Sequence, residues 1–225
     1  MQHTHTHTQK KLRLLVIIGA GGHAVSVANV ALSVGYEIKH FVDKDKGDLD
    51  LLGVRIISDL SEVKDLNDYS IGIAIGDNAV RERIHNELTA RYSNLHFPPL
   101  VHSSAIISFF TSIGEGSVVM PQAVVGPNSK VGKFCLLNTH ASIDHDCIMN
   151  DFSSLAPAAV TGGGVSIGRR SAVSIGAIIK HGVKIGDDSI VGAGSYLNKD
   201  LPSHQIAYGT PAIKVGERNI GEPYL

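Results

Sequence analysis

IGEGSVVMPQAVVGPNSKVGKFCLLNTHASIDHDCIM, Ile113 to Met149, carries an aliphatic residue or Met at every sixth position. The step extends in both directions, from Val101 to Leu197, where sixteen of seventeen positions are aliphatic or Met. Thr161 is the exception. Four residues after each of these, from Ala105 to Ser195, stands Ala, Ser, Thr, Cys or Val, and Gly often follows the aliphatic residue directly, as at Gly114, Gly126 and Gly132. Neither an α-helix nor an ordinary strand has a period of six. Three hexads close into a triangular coil with the aliphatic residue inside and the small one near the corner. The next coil stacks on it at roughly 4.8 Å, the spacing of paired strands. Each buried rung contributes roughly 1.5–3 kcal/mol, so one coil cannot stand alone and a stack can. Residues 99–216 are therefore expected to form an all-β parallel β-helix.

A coil of eighteen residues stacks positions eighteen apart. His145 then falls directly below Gly163, with Pro127 beneath it and His181 above. Gly163 belongs to Thr161-Gly162-Gly163-Gly164, where the aliphatic register breaks, and a local break in a strict pattern marks a place to expect function. A lone histidine on a polar turn is ordinarily a solvated surface residue. Here the neighbouring acids, the facing glycines and the register break favour a general base. His145 would accept a proton from an attacking amine or hydroxyl, Asp146 (or Asp144) would orient the imidazole, and the Gly163 N–H would donate to an oxyanion. His140 and His181 lack that context and read as coil-surface residues. No standard ligand spacing surrounds His145, so no metal is expected.

Upstream lies a different pattern. Leu14–Ile18 is a continuous aliphatic run, the mark of a buried parallel strand, and it ends in Gly19-Ala20-Gly21-Gly22-His23. A helix follows to about Val34, then a strand from Glu37 to Val42 ending in Asp43, a turn-rich stretch, a strand over Ile71–Ile75 and a helix bearing Arg81, Glu82, Arg83 and Glu87. The order predicts one Rossmann-type half over residues 13–98. Its glycine turn would let backbone N–H groups at a helix N-terminus approach a diphosphate, with Asp43 placed for a sugar or ribose hydroxyl. A dinucleotide needs two such halves and the chain has room for one, so a different nucleotide diphosphate is favoured over NAD; a purely structural turn is the third reading.

Composition bounds the rest. A net charge of −1 gives no reason to expect nucleic acid or an anionic membrane as partner. Aromatics at 5%, no Trp and 24 Gly suit tight turns and small aliphatic layers rather than an aromatic core. Cys135 and Cys147 sit in apolar-patterned segments and read as reduced, buried residues. The opening lacks an apolar signal segment and no run reaches the roughly 18 apolar residues of a membrane span, so a cytoplasmic protein is expected. Residues 1–12, with alternating His and Thr, are expected to be a flexible tail, and 217–225 a C-terminal tail.

The chain resembles the sialic acid O-acetyltransferases and UDP-4-amino-sugar N-acetyltransferases of bacterial surface-glycan synthesis. The resemblance rests on the glycine turn through His23, on Asn138-Thr139 with Ile143-Asp144-His145-Asp146-Cys147, on Leu155-Ala156-Pro157 and on Tyr208-Gly209-Thr210-Pro211-Ala212. It implies a left-handed β-helix, a homotrimer with active sites between subunits, and acetyl-CoA as donor. His145 with Asp146 matches the base and its partner. Gly163 matches the glycine at the thioester, and Asn138, Ser154 and Gly162 fall in the same cleft. Ser154 stands where many members carry a histidine. Gly21, Gly22, His23 and Asp43 match the nucleotide-sugar contacts, with Lys44, Asn78 and Arg81 placed near them. The reaction so implied is N-acetylation of the 4-amino group of a nucleotide-linked 4-amino-4,6-dideoxy sugar, UDP-linked by preference. Sialic acid O-acetylation is the alternative within the class. An NAD-dependent oxidoreductase and a non-catalytic β-helix scaffold are the alternatives outside it.

Overall fold

The computed structural model describes residues 13–47 and 49–222. The expected tail at 1–12 and the last residues of the one at 217–225 lie outside the described residues. Strand β1 (Arg13–Ile18) leads into helix α1 (Gly22–Ser33) and strand β2 (Tyr36–Val42). The turn-rich stretch resolves into a short antiparallel hairpin, β3 (Asp50–Leu51) and β4 (Val54–Ile57). Strand β5 (Ser70–Ile73) and helix α2 (Asn78–Arg91) complete this region. Sheet order is β3-β4-β2-β1-β5, with β1 parallel to both β2 and β5. The third strand stops at Ile73, two residues short of the sequence expectation, and Ala74 N–H still bonds Ile18 O at 2.8 Å. The chain moves from β1 to β2 on one side and later returns to β5 on the other. The crevice between the C-terminal ends of β1 and β5 is thus a topological switch point, where open α/β sheets bind ligands.

From Leu100 onward the chain is a parallel β-helix of two-residue strands. Val124 pairs with Ser142, Lys130 with Ile148 and Leu136 with Ser154, each eighteen residues on, as the repeat requires. The interior column is sealed: Val119, Val125, Leu137, Leu155 and Val173 have no exposed surface. The small positions pack at the corners, where Ser117 Oγ accepts from Cys135 N–H (2.9 Å) and donates to Gly132 O (2.7 Å). An antiparallel pair, Gln205–Gly209 with Ala212–Glu217, caps the last coil.

The β-helix has three unlike faces. The face bearing Leu100, Val118 and Leu136 is covered by α1 and the sheet, in one apolar cluster with Val27 and Ala31. At its edge the rings of Phe134 and Phe152, one coil apart, stack with centroids 5.2 Å apart, and His85 of α2 tilts onto Phe134. A charged network adds to the seam: Glu82 bonds both Arg169 and Arg170, and Arg170 also grips Asp188 through both carboxylate oxygens (2.8 and 2.6 Å). A second face presents Ile106, Val124, Val160 and Ile178 outward, with Ile106 60% and Ile178 50% exposed. The third is mixed, bearing Ser112, Lys130, Ile148, Ser166 and Lys184.

Candidate active site

The turn after strand Ser142–Ile143 carries Asp144, His145 and Asp146. Asp146 Oδ2 lies 2.7 Å from His145 Nδ1 and fixes the ring, leaving Nε2 for chemistry. Asn128, one coil below, donates to Asp146 Oδ1, and Asp144 Oδ1 accepts the His145 N–H at 2.8 Å. The Asp146 hydrogen bond, with the charge of Asp144, raises the His145 pKa above its ordinary value, and the hydrogen bonds from His145 and then Asn128 lower that of Asp146. The ring lies directly under Gly163: a Cβ there would collide with Nε2, Cε1 and Cδ2. A Cβ at Gly162 would press on the backbone of His181 at 2.9–3.0 Å. The Gly163 N–H makes no hydrogen bond among the described residues, while its neighbours do: Gly162 N–H bonds Ile179 O and Gly164 N–H bonds His145 O, both at 2.9 Å. A glycine floor with a free N–H beside an imidazole fits a thioester carbonyl.

A cavity of about 450 Å³ lies between the two parts of the chain, and of the expected substrate contacts it is lined by His23 but not by Gly21, Gly22, Asp43, Lys44, Asn78 or Arg81. His23 and Gly76 enter from the switch point; Asn138, Ser154, Ser174 and Tyr208 enter from the β-helix. Burial, and then the Arg81 guanidinium, push the His23 pKa down to about 4, so its ring is neutral near pH 7. Helix α1 has Gly21 as its N-cap, with no side-chain cap, and both Gly21 and Gly22 face open space where a Cβ would stand. That end can take an anion. Gly19 is the turn's conformational requirement: φ is +106° and a Cβ would sit 3.0 Å from Ala74 O. Asp43 Oδ1 accepts from Asp45 N–H (3.1 Å), leaving Oδ2 for a ligand hydroxyl.

Two expected contacts, Asn78 and Arg81, take other roles, and a third, Lys44, makes no bond to the glycine turn among the described residues. Lys44 is exposed, and the lysine at the glycine turn is Lys46, whose Nζ donates to Ala20 O at 2.9 Å. Asn78 and Arg81, 1% and 3% exposed, are directed into the seam rather than toward a substrate. Arg81 donates to Phe134 O, Phe152 O, Ile75 O and Gly76 O at 2.9–3.0 Å and to Asn78 Oδ1 at 2.6 Å. Asn78 donates to Ser154 Oγ, Arg170 O and Ser171 O, each at 3.1 Å. Two buried polar side chains thus bond the coil carbonyls of Phe134, Phe152 and Arg170, which accept no backbone N–H among the described residues, and share Ser171 O with the Ser154 N–H. No local periodicity announces this, because the β-helix partners lie 53–93 residues away.

His145, Gly162 and Gly163 do not line the 450 Å³ cavity, which sits one prism corner away. A larger hollow of about 720 Å³ near Ser203, His204 and Arg218 contains none of these residues. Among the described residues no three His, Cys, Asp or Glu side chains converge on a metal-sized site, and no helix is long and apolar enough to cross a membrane.

A glycine-turn α/β unit packed on a β-helix of eighteen-residue coils defines a two-part protein of the hexapeptide-repeat class. The PglD N-terminal domain family matches residues 14–88, and the bacterial transferase hexapeptide family matches residues 164–199. Among solved structures, PerB from Caulobacter crescentus in complex with CoA and GDP-perosamine is 36% identical with a TM-score of 0.83, covering 90% of this chain and 97% of that one. The acetyltransferase domain of PglB from Neisseria gonorrhoeae, in complex with acetyl coenzyme A, is 32% identical with a TM-score of 0.84, covering 91% and 100%. GDP-perosamine N-acetyltransferase of Escherichia coli O157:H7 is 28% identical over 122 residues, and the chain spans about half (54%) of that relative's length. The chain belongs to the bacterial sugar acetyltransferases of the hexapeptide superfamily, whose acyl donor is acetyl-CoA.

Proposed function

We propose that the protein transfers the acetyl group of acetyl-CoA to the 4-amino group of a nucleotide-linked 4-amino-4,6-dideoxy sugar, with His145 as general base. The observation that carries this is the column of His145 under Gly163 with Asp146 at Nδ1. The amine nitrogen attacks the thioester carbonyl while Nε2 takes its proton. The Gly163 N–H donates to the developing oxyanion. Collapse expels the CoA thiolate, which recovers the proton from the imidazolium, leaving the N-acetyl sugar and free CoA. A base so placed contributes roughly 10²–10⁴-fold. The switch-point crevice, with the open end of α1, His23 and Asp43, holds the sugar nucleotide.

The active form is a homotrimer. Two observations favour it: the outward apolar stripe from Ile106 to Ile178 needs a cover, and the nucleotide crevice and the His145 turn stand on different corners of one chain. A neighbouring copy brings its His145 to this chain's crevice. Both parts of the chain then act as one enzyme, residues 13–98 for the sugar nucleotide and 99–216 for acetyl-CoA.

This reading prefers UDP as the nucleotide, and the relatives named for GDP-perosamine support GDP as the alternative to test. The test is free-thiol release from acetyl-CoA with UDP-, GDP- and dTDP-linked 4-amino sugars, and with sialic acid. Turnover confined to an amino-sugar nucleotide is expected. Turnover on sialic acid alone would replace this reading with O-acetylation.

A further inference from the structure

Thr161 breaks the aliphatic column, and the backbone breaks its ladder at the same place. After each interior residue of this column, the next N–H bonds the backbone carbonyl one coil up: Gly126 to Ile143 O, Gly162 to Ile179 O and Lys180 to Leu197 O, all at 2.9 Å. Asp144 departs from this and reaches the Thr161 hydroxyl instead, at a long 3.4 Å. Strand Ser142–Ile143 meets Val160–Thr161 only through Ser142 and Val160, whereas the coils below and above join at both residues. Thr161 is 7% exposed, between Ile143 and Ile179 at 1% each. A hydroxyl there is costly unless partnered. Its other neighbour is Cys147 Sγ at 3.6 Å, which in turn lies 3.5 Å from His145 O and 3.3 Å from Gly162 O. The hydroxyl therefore sits at the junction of the turn that carries His145 and the turn that carries Gly163.

We propose that Thr161 is a positioning residue: by taking the Asp144 N–H from the ladder, its hydroxyl sets where the His145 ring stands beneath Gly163. This rests on the reading of His145 as the base. An aliphatic residue would fill the column better and return Asp144 to the regular carbonyl bond, drawing the turn back into an ordinary coil. The chain keeps a less apolar core at the one rung where the coil must open.

Thr161→Val, Thr161→Ser and His145→Ala, each prepared as the full chain, test this in one thiol-release assay with crystal structures of the variants. For Thr161→Val, kcat should fall between about 10- and 100-fold, the usual cost of a misplaced catalytic group. KM for both substrates should stay within about twofold, since binding is untouched. The thermal midpoint should hold or rise, the Asp144 N–H should bond the carbonyl of position 161, and Thr161→Ser should restore most of kcat. Unchanged kcat in Thr161→Val, or an unmoved His145 turn, overturns the inference. If His145→Ala is dead while Thr161→Val is fully active, the inference falls and the base reading stands. Activity that survives His145→Ala overturns both.

Discussion

Gly163 stands one coil above His145 so closely that any side chain on it would occupy the space of the imidazole. The requirement is room alone, since Gly163 is absent from the positive-φ positions that favour glycine. Gly163→Ala should therefore fold and assemble with a thermal midpoint near that of the unaltered chain. Its kcat should drop on the order of 10²-fold, because the ring is displaced from the reacting carbon. Steady-state kinetics beside a melting curve checks both halves; a variant with normal kcat would show that the ring does not work from this position.

Asp146 raises the His145 pKa, and with His145 as the base that shift is expected to set the acid side of the pH profile. A general base must be neutral in the free enzyme, so kcat/KM falls as pH drops through the raised value. Asp146→Asn removes the largest cause of the shift, and the acid limb should move to lower pH. The maximal rate should fall by about 10-fold or more, because the carboxylate no longer favours the imidazolium formed in the transition state. An acid limb that stays in place would assign it to another group.

His23 links folding to pH. Its folded pKa of about 4 lies below the ordinary 6.5, so between those values the unfolded chain binds more protons. Stability therefore rises with pH across that window and is lost as pH falls from 6.5 toward 4, by at most about 3 kcal/mol from this residue. His23→Gln should flatten the slope of urea midpoint against pH there. An unchanged slope would place the proton linkage elsewhere.

Arg81 is expected to act on stability rather than on substrate affinity. Arg81→Met removes the donor from the carbonyls of Phe134, Phe152 and Ile75. At 1–3 kcal/mol for a buried unsatisfied group, the loss should be at least about 3 kcal/mol. For a chain of this size that lowers the thermal midpoint by roughly 6–12 °C. A variant with normal melting and a raised KM for the sugar nucleotide would return Arg81 to the substrate.

The β-helix, its coil length, the His145–Gly163 column and the break at Thr161 were all legible in the sequence, because a period of six is strictly local and stacking follows from counting. The glycine turn and the order of β1, α1, β2, β5 and α2 were legible for the same reason. The β3–β4 hairpin was not: Leu51 and Val54 make strands too short to carry a pattern. Nor were the roles of Asn78 and Arg81, whose type and position equally suit a phosphate contact; only the distant carbonyls of Phe134 and Ser171 decide between them. Lys46 displaced Lys44 because the turn after β2 folds back, with Lys46 N–H on Asp43 O at 3.2 Å, and points the later lysine at Ala20.

The central claim, that His145 is the base of an acetyl transfer to a sugar amine, is tested most directly by thiol release with the accepted amino-sugar nucleotide, comparing the unaltered chain with His145→Ala. Loss of about 10²–10⁴-fold in kcat, in a variant that keeps the melting point and the oligomeric mass of the unaltered chain, is the expected result. Turnover within a few-fold of the unaltered chain, in the same folded state, would contradict it and remove His145 from the chemistry.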